Sequence, residues 1–190
     1  MPNPAVFLDR DGTVNKEVSY LSDMGRLVLI DGAAEAMRRL QAAGFKLVII
    51  TNQSGIARGY FTERRLKRIH QRLRKLLRRE KISPDGIFYC PYYPRTRLKR
   101  YRMESPDRKP APGMLLKATN LLDIDLSASF MVGDRKSDIG AGKNAGCSSL
   151  LVRTGYGEQA EKEIPDWEYK PDFIADDLLQ AVNWILGEKK

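Results

Sequence analysis

Short apolar runs alternate along this chain with segments of helical periodicity. The runs carry few polar residues at alternate positions, which is typical of strands that are buried on both faces of a parallel sheet. They predict strands at residues 5–8, 46–50, 86–90, 129–132, 149–152 and 172–174. Apolar residues three and four positions apart predict helices at residues 32–43, 62–80, 112–122, 139–145 and 176–186. We therefore expect a Rossmann-like α/β fold with three layers, α/β/α, around a central parallel sheet and without a large cap domain.

Residues 91–111 differ from the rest of the chain. They contain prolines at 91, 94, 106 and 110, many basic residues and no periodicity, which predicts a long loop. The length of 190 residues suits one hydrophobic core. We expect residues 1–190 to form a single domain with this loop as an insertion.

Two carboxylates follow the first predicted strand directly. Asp9 stands at the end of the strand and Asp11 two residues later, and Gly12 allows a sharp backbone turn after them. Two anions so close together favour a divalent cation, or a proton on one of them. Taken alone, the motif also fits a helix N-cap or an Asx turn after a core strand.

Polar groups also follow other predicted elements. Thr51 follows the second strand, Asp134 follows the fourth strand, and Lys109 precedes the helix at residues 112–122. The carboxyl ends of parallel strands meet at one edge of a sheet, so we expect these groups to lie near Asp9. Carboxylates, a lysine and a threonine hydroxyl could there bind a hard divalent cation and a phosphoryl group side by side.

Four motifs carry a resemblance that covers residues 5–153. FLDRDGTVN, VIITNQSGIARG, RKPAPGM and MVGDRKSD resemble, in this order, the motifs of the haloacid dehalogenase superfamily of phosphohydrolases. More narrowly, the chain resembles the D-glycero-D-manno-heptose 1,7-bisphosphate phosphatases and the related histidinol-phosphate phosphatases. The resemblance implies a Mg²⁺-dependent enzyme that removes the C7 phosphate of a heptose bisphosphate through an aspartyl phosphate. Such an enzyme would serve nucleotide-heptose or lipopolysaccharide synthesis.

The resemblance also implies roles for the residues that match the motifs. Asp9 would be the nucleophile, Asp11 the general acid and base, and Thr51 and Lys109 the groups that bind the phosphoryl oxygens. Asp9, Asp134 and the backbone carbonyl of Asp11 would hold Mg²⁺. Additional substrate-binding residues are expected in the adjoining loops: Glu17, Val18, Ser19, Tyr20, Asn52, Gln53, Ser54, Arg108 and Arg135.

One part of the family pattern is missing. Many members of this branch hold a structural zinc with three cysteines and one histidine, but here only Cys90 is kept, and Tyr92, Ser105 and Asp107 take the other positions. One thiolate with these side chains does not make a tetrahedral zinc site, so no zinc is expected. Loop 91–111 is interpreted as a substrate-side insertion held by Pro, Tyr and Arg packing. Its basic residues are expected to suit a second phosphate: Arg95, Arg97, Lys99, Arg100 and Arg102.

The net charge of +9 is concentrated in residues 64–79, which hold nine arginines and lysines. Leucines and an isoleucine at helical spacing in the same segment predict an amphipathic helix with a solvated basic face, and an anion-binding surface is the alternative. His70, the only histidine, lies in this helix and is interpreted as having no part in the chemistry. Asp138 is expected either to orient Lys109 or to contact the waters of the metal ion.

The expected partner is a small phosphorylated sugar. No apolar run approaches the roughly 20 residues that a membrane helix needs, and the N-terminus leads almost directly into the first strand without room for a signal peptide. The two cysteines predict no disulfide framework. We expect a cytoplasmic monomer with no membrane or nucleic-acid partner.

Three alternatives stay open. The same chemistry could act on histidinol phosphate, whose cationic leaving group would be repelled by basic residues. It could also remove a 3′-phosphate from a polynucleotide, although few aromatic residues are interleaved with the basic clusters as stacking platforms. The third alternative is a protein without catalytic activity, either a Mg²⁺-binding phosphoacceptor or a nucleic-acid-binding module.

Overall fold

Six parallel strands form one sheet in the computed structural model, which describes residues 2–187. The spatial order of the strands is β3-β2-β1-β4-β5-β6. The strands are β1 (Ala5–Leu8), β2 (Lys46–Asn52), β3 (Gly86–Cys90), β4 (Phe130–Gly133), β5 (Ser148–Val152) and β6 (Phe173–Ala175). The helices are α1 (Ala33–Ala42), α2 (Ser54–Ala57), α3 (Glu63–Arg79), α4 (Gly113–Leu122), α5 (Lys136–Ala145), α6 (Gly157–Lys162) and α7 (Leu178–Ile185).

The central strands are buried on both faces, as their continuous apolar runs predicted. Val6 and Leu8 of β1 pack into a core with residues of α1, α3 and α7. Ala5 and Phe7, which point to the opposite face, pack with residues of α4 and α5. The predicted three-layer α/β/α fold with a parallel sheet is therefore confirmed. All strands of the described chain belong to this sheet, and no separate cap is folded between them.

The strand register gathers the ends of the central strands at one edge. Leu8 of β1 is paired with Ile49 of β2 on one side and with Val132 of β4 on the other. The next residues along each chain segment therefore leave the sheet together. The strand order also reverses at β1, which is where open parallel sheets form their ligand crevice.

The predicted elements are present, with differences at their ends. The basic helix α3 begins after Thr62, whose Oγ1 accepts a hydrogen bond from the backbone N–H of Arg65 (3.2 Å). Helix α5 begins at residue 136 rather than 139 because the Asp138 carboxylate caps its first turn by accepting from the N–H of Arg135 (3.0 Å). The short helices α2 and α6 were not predicted, since four and six residues are too few for a periodic pattern.

Loop 91–111 contains only one short helical turn, Lys99–Tyr101, and aromatic contacts stabilise it. The backbone N–H of Tyr93 donates to the carbonyl of Tyr101 (3.0 Å), and the Tyr92 ring packs on that of Tyr101 (6.2 Å between centroids). The guanidinium groups of Arg58 and Arg108 lie 4.5 and 5.1 Å from the centre of the Tyr93 ring. Among residues 2–187, no helix is both long and apolar enough to cross a membrane.

Candidate active site

Lys109 links two carboxylates at the edge of the sheet. Its Nζ lies 2.5 Å from Asp9 Oδ1 and 2.6 Å from Asp138 Oδ1, and it donates to the carbonyl of Ile50 (3.1 Å). The ammonium is buried. Burial disfavours its charge, but the carboxylates of Asp138 and Asp9 outweigh burial and raise the pKa of Lys109. Lys109 is therefore a fixed cation beside Asp9, and Asp138 orients it.

Three buried carboxylates cluster here, and Lys109 contacts two of them, Asp9 and Asp138. Asp9, Asp134 and Asp138 each offer an oxygen within 4.8 Å of the others. Burial, with repulsion from Asp138 and Asp11, raises the pKa of Asp9 to about 7 against the opposing effect of Lys109. Burial and the neighbouring Asp9 raise the pKa of Asp134 to about 8. If all three carboxylates were ionised, they would carry more negative charge than one ammonium balances.

The surroundings of Asp134 fit a divalent cation. Its Oδ2 accepts a hydrogen bond from the N–H of Tyr156 (2.8 Å), whereas its buried Oδ1 has no hydrogen-bond partner in the described part of the chain. A Cβ on Gly12 or Gly155 would lie 2.2 or 2.3 Å from Oδ2, so only glycine permits this close approach of the backbone. Several carboxylate oxygens, one of them unpaired, are the hard ligands that Mg²⁺ prefers.

Asp11 is held by four hydrogen bonds. Arg10 donates from Nη2 to Oδ2 (2.6 Å) and from Nε to Oδ1 (3.1 Å), Asn15 donates to Oδ1 (2.9 Å) and Gln53 donates to Oδ2 (3.0 Å). Burial acts to raise the pKa of Asp11, but the Arg10 guanidinium and the hydrogen bonds prevail and lower it. In this arrangement the carboxylate is ionised and rigidly oriented.

Side chains at the end of β2 form hydrogen bonds to Asp11 on one side and to the backbone of Lys109 on the other. The Gln53 amide donates both to Thr51 Oγ1 (2.9 Å) and to Asp11. The Asn52 side chain donates to the backbone carbonyl of Lys109 (3.0 Å) and accepts from its N–H (3.1 Å). Asn52, predicted to bind substrate, thus also fixes the backbone of Lys109.

A cavity of about 500 Å³ opens above these residues. Of the predicted site residues, it brings together Asp9, Asp11, Glu17, Ser19, Tyr20, Thr51, Asn52, Gln53, Ser54, Arg108, Lys109 and Arg135. Asp134 lies fully buried beneath it, in the carboxylate cluster. Val18 packs against the main hydrophobic core and does not line the cavity, and its contact with substrate stays a prediction.

The expected role of the basic residues of loop 91–111 toward a second phosphate stays a prediction. None of the five that were expected to suit a second phosphate lines the cavity. Arg100 lies over the ring of Tyr101, and Arg102 donates to the carbonyl of Thr96 (2.7 Å). The cations that do line it are Arg108 and Arg135, besides the buried Lys109.

Arg135 is held at the rim by two contacts. Its guanidinium lies 3.8 Å from the centre of the Tyr156 ring, and its Nη2 is 3.6 Å from Glu17 Oε2. Burial and the nearby Asp11 raise the pKa of Glu17, although Arg135 opposes them. The rim therefore combines a cation, a carboxylate and an aromatic face, which suits a polar ligand with several hydroxyl groups.

Sequence reasoning missed the segment that follows β5. Thr154 Oγ1 donates to the carbonyl of Gly12 (2.6 Å), and Tyr156 contacts both Asp134 and Arg135. The glycine at position 155, three residues after the end of a buried strand, was the available signal, since it marks a place where the backbone approaches another group closely. His70, interpreted from the sequence as uninvolved, lies with its Nε2 3.1 Å from Arg10 Nη1.

Known proteins share both this sequence and this fold. A family model described as HAD-hydrolase-like matches residues 107–181. The D-glycero-beta-D-manno-heptose-1,7-bisphosphate 7-phosphatase of Escherichia coli K12 is 44% identical over 188 residues, which cover 98% of this chain and 96% of that protein. The chain belongs to this phosphatase family.

Two further relatives are named for the same phosphatase activity. The D-glycero-D-manno-heptose-1,7-bisphosphate 7-phosphatase of Thermosynechococcus vestitus is 42% identical over 189 residues, covering 97% of this chain and 96% of the relative. The crystal structure of D,D-heptose 1,7-bisphosphate phosphatase from B. bronchiseptica, complexed with magnesium and phosphate, superposes with a TM-score of 0.85 at 31% identity. It covers 98% of this chain, and this chain covers 99% of it. The phosphatase is a hydrolase of the haloacid dehalogenase superfamily.

Proposed function

We propose that this phosphatase is Mg²⁺-dependent and removes the C7 phosphate of D-glycero-D-manno-heptose 1,7-bisphosphate. The observation that supports this most strongly is the cavity itself. Asp9, Asp11 and Lys109 face it together, in a chain that is 44% identical over nearly its full length to a phosphatase named for that substrate. We further propose that residues 1–190 act as one domain and that loop 91–111 is a substrate-side insertion, since Arg108 and Lys109 at its end line the cavity.

In the proposed first step, a carboxylate oxygen of Asp9 attacks phosphorus. The bond between phosphorus and the sugar oxygen breaks. Asp11, which takes up a proton when the phosphate anion binds beside it and disfavours a second negative charge, gives that proton to the leaving oxygen. The products are the free sugar hydroxyl and an acyl phosphate on Asp9. Lys109 and Thr51 hold the phosphoryl oxygens while their charge is redistributed.

In the second step, Asp11 takes a proton from water as the water oxygen attacks phosphorus. The acyl phosphate bond breaks, inorganic phosphate leaves and Asp9 returns as a carboxylate. Asp9, Asp134 and the backbone carbonyl of Asp11 would hold Mg²⁺, which would neutralise the carboxylate cluster and withdraw electron density from the phosphoryl oxygens. Asp138 would keep Lys109 in place through the 2.6 Å contact.

A second phosphate on the substrate gives the two rim arginines a role. Arg108 and Arg135 line the cavity on the side of the leaving group in this proposal, where they would attract an anionic sugar and repel the ammonium of histidinol phosphate. A phosphate-release assay with heptose bisphosphate, histidinol phosphate and a 3′-phosphorylated oligonucleotide tests the substrate. We expect kcat/KM to be highest for the bisphosphate by at least about 100-fold, or roughly 3 kcal/mol.

Arg135→Gln provides a matched test of the same point. We expect it to raise KM for the bisphosphate about tenfold and KM for a sugar monophosphate much less, because the second phosphate loses a cation. Higher activity on the oligonucleotide or on histidinol phosphate than on the bisphosphate would overturn the substrate assignment.

A further inference from the structure

Arg10 follows Asp9 and precedes Asp11 in the first motif, and it is not among the residues that line the cavity. It has no exposed side-chain surface. Its Nε and Nη2 donate to the two oxygens of Asp11, at 3.1 and 2.6 Å. A guanidinium has five N–H donors, and a buried cation of this kind needs acceptors for the donors that do not face its carboxylate.

His70 lies where such an acceptor is needed. It is in the middle of α3, and its Nε2 is 3.1 Å from Arg10 Nη1. The edge of its ring meets the ring of Tyr89 on β3, with the centroids 5.8 Å apart, which fixes the plane of the imidazole. Burial and the Arg10 guanidinium lower the pKa of His70 to about 3, so the ring is neutral. Since Nη1 can only donate, Nε2 carries no proton and the ring proton is on Nδ1.

We propose that His70 is a positioning residue for Asp11 and acts through Arg10. The inference rests on the proposed role of Asp11 as general acid and base. The Nε2 lone pair accepts from Nη1, the third nitrogen of the guanidinium, and so holds Nε and Nη2 opposite the two oxygens of Asp11. The carboxyl group is then held with its orientation toward the sugar oxygen set before substrate binds.

A neutral acceptor suits this task better than a charged one. A carboxylate at position 70 would share the charge of Arg10 with Asp11 and weaken the pairing that orients Asp11. An apolar residue would leave a buried N–H of a cation without a partner, and the guanidinium would turn to find one. Asn15 and Gln53 also hold Asp11, so we expect the loss of His70 to be partial.

The test uses two substrates that differ in their need for an acid. The sugar phosphate releases an alkoxide that requires a proton, whereas an aryl phosphate such as 4-nitrophenyl phosphate releases a stable phenolate. The ratio kcat/KM covers only the steps up to release of the alcohol, so it isolates the acid role of Asp11 from its later role as a base. A misplaced acid therefore lowers kcat/KM for the sugar phosphate selectively.

His70→Leu removes the acceptor, and His70→Gln keeps a neutral one. General acid catalysis contributes about 10²- to 10⁴-fold, so we expect His70→Leu to lower kcat/KM for the sugar phosphate about tenfold and for the aryl phosphate less than about twofold. His70→Gln should retain the wild-type ratio of the two substrates. The exposed neighbour Gln71 gives a matched control, since Gln71→Leu changes the same helix without touching Arg10. Equal losses on both substrates, or no loss in His70→Leu, would overturn the proposal.

A measurement on the unmodified protein covers the case in which His70→Leu does not fold. Because the chain has a single histidine, the ¹⁵N signals of an untagged, histidine-labelled sample belong to His70 alone. We expect a neutral ring with an unprotonated Nε2 throughout pH 6 to 8. A cationic ring or a protonated Nε2 contradicts the proposal. Asp11→Asn in the same pair of assays separates the role of Asp11 from that of His70. If this variant shows no selective loss on the sugar phosphate, the proposed acid role of Asp11 fails independently of His70.

Discussion

The Asp134 carboxylate has an incomplete set of hydrogen-bond partners. One of its oxygens is buried without a hydrogen-bond partner among the described residues, and its pKa is raised to about 8 from 3.8. Above pH 4 the unfolded chain therefore loses a proton that the folded chain retains. The free energy of unfolding must fall as the pH rises toward 8, as far as this group contributes.

Asp134→Asn should remove that dependence. In the presence of a chelator, we expect the variant to gain stability relative to wild type as the pH rises from 4 to 8, by at least about 1 kcal/mol. Urea unfolding at both pH values measures this. Millimolar Mg²⁺ should reverse the order at pH 8 by stabilising wild type but not the variant. A difference between the two proteins that does not change with pH would contradict the description of Asp134.

Single residues divide into those that the sequence could identify and those that it could not. Asp9 and Asp134 follow apolar runs that end as strands, so their shared edge follows from the parallel sheet alone. The contact between Arg10 and His70 joins residues that are 60 positions apart. It depends on how α3 packs across β1 and β3, which no local pattern encodes. The inward packing of Val18 could not be predicted for a related reason, since the face of an irregular segment cannot be read from its composition.

The strands and long helices could be predicted because each buries a periodic set of apolar residues. The segment between β5 and α6 could not, because it has no periodic pattern and its contacts with the site involve backbone groups of Gly12 and Tyr156. A Cβ on Gly157 would lie 1.7 Å from the carbonyl oxygen of Val152, so the chain folds tightly there and brings Thr154 and Tyr156 against the first motif. This turn packs beside Asp134, and its Tyr156 forms part of the cavity wall.

Thr154→Val tests the importance of this turn. The hydroxyl donates to the carbonyl of Gly12 (2.6 Å), and the substitution keeps the shape but leaves that acceptor without its partner. We expect kcat to fall about fivefold, because the backbone beside Asp11 and Asp134 loses a fixed contact. Thr154→Ser, which keeps the hydroxyl, should stay within about twofold of wild type. Equal activity of the two variants would show that the contact does not hold the site.

Over the whole molecule, loop 91–111 is held by side-chain packing. Cys90 is buried, and burial raises the pKa of its thiol, which disfavours the thiolate that zinc requires. Tyrosine rings and arginine guanidiniums pack against each other within and beside the loop. The absence of zinc remains a prediction of the ligand set.

Elemental analysis of the purified protein tests that prediction. We expect well below one zinc per chain after expression in zinc-supplemented medium, and no loss of activity or of thermal midpoint with a zinc-selective chelator. Stoichiometric zinc that is lost together with the fold would show that the loop binds metal through ligands that the pattern does not reveal.

The central claim is that a phosphoryl group is carried by Asp9, and trapping it is the most direct test. Asp11→Asn should accumulate the intermediate from an aryl phosphate, because the leaving phenolate needs no acid while the attack of water loses its base. Acid quenching followed by peptide mass spectrometry would locate the group. We predict an acid-stable acyl phosphate on the peptide that contains Asp9, absent in Asp9→Asn. A phosphoryl group on another residue, or wild-type turnover by Asp9→Asn, would contradict the mechanism.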